Sequence, residues 1–329
     1  MKLVVADINK RGIYRPLDDI YGNYNTNDTG LCNRLLFWEI AQIINYLHDN
    51  KFEVVVDKQQ NPETNNCFTL ENTTLTDARN IDFDEYLPIT TELLKDVINN
   101  GLKLEDKNYY TDFTIVQIND LSEQYKTRFI NTLKFKHEDI NTDIINEVSS
   151  AIGIHVRRGR GVHITKKDVL GGRTLIDLSL LPKWDHELLA DYVRAKVKDL
   201  PAWKFYQFEF ITDETYFRAI DLILEKNPNQ KFYISHDLKD EYFENWVERY
   251  PNNIILKNKF YDLIKAWEIP LELHTKNFLD LYCLCNTQSI IKTPYSTWSD
   301  LATDYNNKEG VYLEWDNDEK ILEKCIKKI

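Results

Sequence analysis

Ala151-Ile152-Gly153-Ile154-His155-Val156-Arg157-Arg158-Gly159-Arg160-Gly161 is the stretch on which the architecture of this chain turns. Ile152, Ile154 and Val156 are β-branched, so Ala151 to Arg157 reads as a strand, and the glycines and arginines after it read as a loop. Working outward from this strand, the pattern alternates. Asp185 to Lys198 reads as a helix, Phe208 to Ile211 as a strand, Tyr216 to Glu225 as a helix and Lys231 to Ser235 as a strand. Tyr242 to Arg249 (helix), Ile254 to Leu256 (strand), Phe278 to Cys285 (helix), Ser289 to Lys292 (strand) and a helix from Ser299 continue the series. Strands separated by helical stretches predict a parallel sheet covered by helices.

A second such unit precedes it. Residues 2–7 and Lys51 to Asp57 read as strands, and Leu35, Leu36, Ile40, Ile43, Ile44 and Leu47 space as the apolar face of a helix between them. Residues 58–112 are rich in Asn, Thr and Asp and predict long loops and short helices. Thr114 to Ile118 predicts a further strand, and 120–149 predicts helices. The expected organisation is therefore α/β, with two Rossmann-like, doubly wound domains, 1–150 and 151–329, facing a cleft. Ligands of such sheets sit beyond the carboxyl ends of the strands.

Bulk properties narrow the classes. At 329 residues there is room for two cores. A net charge of −12 opposes nucleic acid and anionic membrane, so a local basic cluster carries information. Cys32, Cys67, Cys283, Cys285 and Cys325 are odd in number and scattered, which reads as buried thiols rather than a disulfide framework. No segment reaches the roughly 18 apolar residues of a membrane span. The expectation is a cytoplasmic chain without a membrane span.

Three strand ends carry the candidate chemistry. Arg157, Arg158 and Arg160 follow the first strand of the second unit, and guanidinium grips phosphate through paired hydrogen bonds. Arg157 and Arg158 leave the strand on opposite faces, so one of them can point at a ligand. Gly159 and Gly161 would allow the backbone to approach that ligand closely. Ser235, His236 and Asp237 end the next strand, where small polar groups can read a base or ribose; Asp237 reads equally well as a helix cap. Ile211-Thr212-Asp213 is a rival position. Thr293-Pro294-Tyr295-Ser296-Thr297 precedes a helix whose free N–H groups favour an anion.

The run IGIHVRRGRG resembles the first motif of the α1,6- and protein-O-fucosyltransferase superfamily, and is most similar to the rhizobial nodulation fucosyltransferases. The likeness covers most of 151–305: YISHD, with the helix and YPNNIIL after it, is similar to the second motif. NFLDLYCLCNTQSIIKTPYSTWSDLA is similar to the third. Thr29-Gly30-Leu31-Cys32-Asn33-Arg34-Leu35 looks like the Gly-rich loop of the first domain. The resemblance implies a GT-B fold, inverting transfer of fucose from GDP-fucose to a carbohydrate, and no metal. It makes Arg157 the essential contact to the donor pyrophosphate and places His155 near the nucleotide, with Arg158 and Arg160 assisting. Ser235 and Asp237 would lie near the guanosine, Tyr295, Ser296 and Thr297 near the phosphates, and Gly30 and Asn33 at the cleft. Asp168 is the candidate general base, with Glu39 and His163 as rivals. Two departures touch nucleotide and sugar identity: Arg160 stands where relatives carry Asp, and His236 replaces the Asp of the second motif.

Two other readings remain open. Asp82-Phe83-Asp84 has the form of a metal-dependent transferase triplet. A nucleotide- or glycan-binding module on a decayed transferase fold, or a transferase using another nucleotide sugar, also fits. No phosphate-binding loop of the G-x-x-x-x-G-K-[ST] kind is present in the sequence.

Overall fold

The structure, a computed structural model, describes residues 1–5, 31–57, 68–69, 72–77, 80–111, 134–136, 138–156, 213–236, 240–266, 268–271, 273–293, 296–305, 310–313, 323 and 326–327. They belong to two compact units. One takes Met1–Asn141, Leu263–Leu279 and Asp304–Asn306; the other takes Thr142–Asp262, Asp280–Thr303 and Asn307–Ile329.

In the first unit β1 (Lys2–Val5), α1 (Leu31–Leu47) and β2 (Glu53–Asp57) form the expected strand, helix, strand. α1 begins a turn earlier than the apolar spacing alone gave, and Cys32 in that turn is buried. From Trp38 to Asn45 the helix is buried on every side, so its polar residues need internal partners. Trp38, Gln42 and Asn45 have them: Trp38 Nε1 and Gln42 Nε2 donate to Thr73 Oγ1 at 2.7 and 3.0 Å. Asn45 Oδ1 accepts from the Phe52 amide at 2.8 Å.

The expectation of long loops and short helices over 58–112 is corrected. That stretch holds β3 (Phe68–Thr69), β4 (Thr73–Thr76), β5 (Tyr86–Ile89), α2 (Thr91–Asn100) and β6 (Asn108–Thr111). Four-residue strands such as TTLT and NYYT are too short to show a period; cross-strand pairing decides them. α2 has clear stops. Thr90 Oγ1 accepts from the Leu93 amide at 3.2 Å, and Gly101 ends the helix at φ 67°, where glycine carries no steric penalty. The sheet is fully parallel in the order β4-β2-β1-β6-β5.

The remaining elements are β7 (Lys134–Phe135), antiparallel to β3, then α3 (Glu138–Val148), β8 (Ile152–Val156), α4 (Asp213–Lys226) and β9 (Phe232–His236). α5 (Glu244–Arg249), β10 (Ile254–Leu256), α6 (Tyr261–Ala266), α7 (Leu273–Cys285), β11 (Ser289–Lys292), α8 (Thr297–Tyr305) and β12 (Gly310–Tyr312) follow. A 3₁₀ turn, Asp240–Phe243, takes the first part of the helix expected over Tyr242 to Arg249. The expected strands at 114–118 and 208–211 and the expected helix at 185–198 lie outside the described residues. So does most of the helical region expected before α3.

The second sheet is also fully parallel, in the order β10-β9-β8-β11-β12. Strands are added first on one side of β8 and then on the other. Right-handed crossovers in opposite directions put the connecting helices on opposite faces, which is the doubly wound arrangement expected from sequence. The reversal lies between β8 and β11, so the ends of these two strands form the switch point. Every residue of β8 and β9 is buried, as a strand covered on both faces must be. Trp246 anchors the core, with ring centroids of Phe217, Phe243 and Tyr216 at 5.0, 5.3 and 5.6 Å.

Gly153 records how tightly α7 and the turn after it lie on β8. A Cβ there would meet Leu284 Cδ1 at 2.6 Å and Thr287 Oγ1 at 2.7 Å. Thr287 cannot swing away freely, because its hydroxyl is engaged by the carbonyls of Leu284 and Ser289. Gly153→Ala is therefore expected to destabilise the protein by about 1–3 kcal/mol through overpacking. Urea unfolding checks this: the midpoint should fall with the slope unchanged, and a midpoint at or above the wild type would contradict it.

Candidate functional site

The carboxyl ends of β8, β9 and β11 lie side by side by register: His155 opposite Ser235, Val156 opposite His236, and Ile154 opposite Ile291. The last peptides of β8 are tied across the switch point. The His155 carbonyl accepts from Thr293 Oγ1, just past β11, at 2.5 Å and from Tyr216 OH of α4 at 3.2 Å. The chain that leaves β8 toward Arg157 thus starts from a fixed position.

Beneath these ends lies Asp280, 2% exposed, in the middle of the apolar helix α7. Its carboxylate accepts from Tyr233 OH at 2.8 Å, from Ser235 Oγ at 2.9 Å and from the His236 amide at 3.3 Å. A buried carboxylate is costly unless hydrogen-bonded, and here three donors converge on it. Burial, reinforced by the Asp280 charge, pushes the Tyr233 phenol well above its ordinary value, so it stays a donor. The same two causes raise the Cys283 thiol. Cys283 and Cys285 are buried free thiols, as expected, and Cys283 has none of the thiolate character of a nucleophile.

Ser235 is also an acceptor: Trp298 Nε1 donates to its hydroxyl at 3.0 Å. The Trp298 ring lies 24° from parallel to that of His155, with centroids 6.5 Å apart. His236 turns the other way. Its ring packs on Phe243 at 4.3 Å, its Nε2 lies 3.2 Å from Asp240 Oδ1, and its carbonyl accepts from buried Lys257 at 3.1 Å.

Ser296 stands immediately before α8. It is fully buried, and its hydroxyl has no hydrogen-bond partner among the described residues. Serine at this position usually accepts an amide of the first helical turn. Here that role is unused, which leaves a hydroxyl at the positive end of a helix. Close by, Lys292 Nζ lies 2.5 Å from Asp300 Oδ1 and 4.6 Å from the centre of the Tyr312 ring. Burial works against the Lys292 charge, but Asp300 and Tyr312 outweigh it and hold the ammonium above its ordinary value.

Of the residues singled out in the sequence, His155, Ser235 and Ser296 meet at these strand ends. Thr297 begins α8. Asn33 lies in the first turn of α1, its side chain outside the described residues. Arg157, Arg158, Arg160, Asp168, Asp237, Tyr295 and Gly30, with His163, also lie outside the described residues. Glu39 is buried in α1. Asp213 opens α4 and accepts from Tyr242 OH at 3.1 Å. Asp82 accepts the Asp84 amide at 3.2 Å as the cap of a 3₁₀ turn, and both carboxylates are exposed. Among the described residues no group of three His, Cys, Asp or Glu could hold a metal, and no helix is long and apolar enough to cross a membrane. Sequence reasoning missed Asp280 and gave Trp298 no role. The available signal was a lone charge inside the run FLDLYCLC.

No protein-family model and no curated protein matches this chain. Solved structures share its fold. The fucosyltransferase NodZ from Bradyrhizobium superposes with a TM-score of 0.50 at 14% identity, over 96% of this chain and 96% of that one. Its selenomethionine form gives 0.52 at 13% identity, over 96% and 95%.

Asp280→Ala would strand the Tyr233 and Ser235 hydroxyls and is expected to cost about 2–5 kcal/mol. Adding Tyr233→Phe should then cost little or recover stability, because it removes one stranded donor; urea unfolding of the four-member cycle checks this, and additive losses would refute it. The raised Tyr233 value also fixes a pH dependence. Its stabilisation is whole below the unfolded phenol value, about 10, and is lost as pH rises toward the native value. Unfolding midpoints of the wild type should therefore fall more steeply above pH 10 than those of Tyr233→Phe.

Proposed function

We propose that this chain is a glycosyltransferase that moves fucose from GDP-fucose to a carbohydrate hydroxyl, with inversion and without a metal ion. The observation that carries the reading is the convergence at the β8/β11 switch point. A buried Ser296 hydroxyl, without a partner among the described residues, stands at the N-terminus of α8, just past β11, and β11 is paired with the strand that runs directly into Arg157 and Arg158. The likeness of three sequence motifs to the fucosyltransferases, and the fold shared with one such enzyme, support it.

In this reading Arg157, with Arg158 and Arg160, faces the donor diphosphate together with Tyr295, Ser296 and Thr297. His155 and Asp237 lie on the nucleoside side; the Ser235 hydroxyl is taken up by Asp280 and Trp298, so Ser235 supports the strand end there rather than serving as a ligand. Gly30 and Asn33 belong to the acceptor side. The acceptor oxygen attacks the anomeric carbon as the bond from that carbon to the phosphate oxygen breaks, and GDP leaves with the bonding electrons. The acceptor proton passes to Asp168. Charge develops on the leaving diphosphate, where fixed guanidinium and amide donors act most strongly. With a good leaving group, the base contributes less than the arginines.

Calorimetric titration with GDP, GDP-fucose, GDP-mannose and UDP, with and without EDTA, tests this. GDP and GDP-fucose should bind whether or not EDTA is present, and Arg157→Ala should lower transfer by at least roughly a hundredfold. Failure of guanine nucleotides to bind, or binding that EDTA abolishes, would sink the reading. Binding of GDP without transfer or donor hydrolysis would instead identify a non-catalytic binding module.

A further inference from the structure

The first turn of α8 is held on more than one side by groups that the proposed chemistry does not use. Trp298, its second residue, donates from Nε1 to Ser235 Oγ at the end of β9, and Ser235 donates onward to Asp280 of α7. Asp300 of the same turn is held by Lys292 of β11 and by Tyr312 OH, which donates to it at 3.0 Å. Within the turn the Asp300 amide and Ser299 Oγ donate to the Ser296 carbonyl at 3.0 and 3.3 Å, and Ser299 Oγ also reaches the Thr293 carbonyl at 3.2 Å. Ser296 is thus held by its backbone, while its hydroxyl stays uncommitted among the described residues.

We infer that Trp298 is a positioning residue, whose indole N–H fixes the first turn of α8 and so presents the Ser296 hydroxyl and the helix N–H groups to a diphosphate. The inference rests on the proposed donor site and adds a residue that the reading above does not need. Packing alone does not require an indole here: phenylalanine would cover much of the same apolar area. The N–H is what a helix register tied to β9 requires, because Ser235 sits in a fixed sheet and Asp280 fixes the direction of its proton. Trp298 touches neither donor nor acceptor in this account. It acts through Ser296, and its near-parallel stack on His155 keeps it at the end of β8 as well.

The test compares wild type, Trp298→Phe and a variant carrying benzothienylalanine at position 298, which keeps the ring shape and loses the N–H. Each is titrated with guanosine, GDP and inorganic pyrophosphate, and a urea midpoint is recorded for each. Both variants should bind GDP and pyrophosphate about fivefold to tenfold more weakly, the worth of one hydrogen bond, and guanosine as the wild type does. Equal losses for guanosine and GDP would mean general loosening and overturn the inference, as would unchanged affinity for all three. If Trp298→Phe fails to fold, the benzothienyl variant decides alone. Wild-type protein that binds pyrophosphate but not GDP would sink the donor reading while leaving the positioning role to be decided by the variants. Wild-type protein that binds neither would overturn both.

Discussion

The carboxylate of Asp280, buried in an apolar helix, is the constraint around which the second unit is organised. A charge removed from water has to be met by donors, and the donors that meet it come from β9: a phenol, a hydroxyl and a backbone amide. These bonds lock α7 to the sheet at one point along its length. Through Ser235 they also reach Trp298 and the start of α8. Packing of Leu284 and Thr287 against Gly153 supplies the fit, but packing of apolar surfaces tolerates sliding that a hydrogen-bonded carboxylate does not.

The second unit was legible in the sequence because its strands are runs of β-branched and aromatic residues buried on both faces. β8, β9, β10 and β11 fall within a residue of their expected positions, and β12 was missed because GVY is too short to carry a pattern. The first unit was legible only at β1, α1 and β2. Its other strands take Thr, Tyr and Asn into a sheet whose edges are half exposed, so neither periodicity nor hydrophobicity marks them. Among site residues, strand ends announced themselves through polar residues following apolar runs. Asp280 did not, since a helix interior is where sequence reading expects packing rather than function. Nor could the sequence tell that Ser235 would spend its hydroxyl inward, because that depends on which helix lies behind the strand.

At 13–14% identity the likeness to NodZ is one of fold, a pattern of strands and helices. In this chain that pattern is economical: five short parallel strands, a reversal at β8, and polar residues placed where the strands stop. Such an arrangement constrains the strand ends more than the loops between them, and loops on a fixed scaffold are where ligand specificity is commonly written.

The two sheets differ in one respect that bears on how the chain is made. In the second, each new strand after β10 docks on one already in place, β11 on β8 and β12 on β11. In the first, β5 is made before β6, yet β6 lies between it and β1. Tyr86–Ile89 must therefore wait, unpaired, until Asn108–Thr111 has been synthesised and inserted. During that interval a nascent chain would carry a stretch of Tyr, Leu and Ile with open amide and carbonyl groups, a target for chaperones or for another chain's edge. Pro88, at the centre of the waiting strand, lacks an N–H and blunts that hazard while the native partner is still on the ribosome.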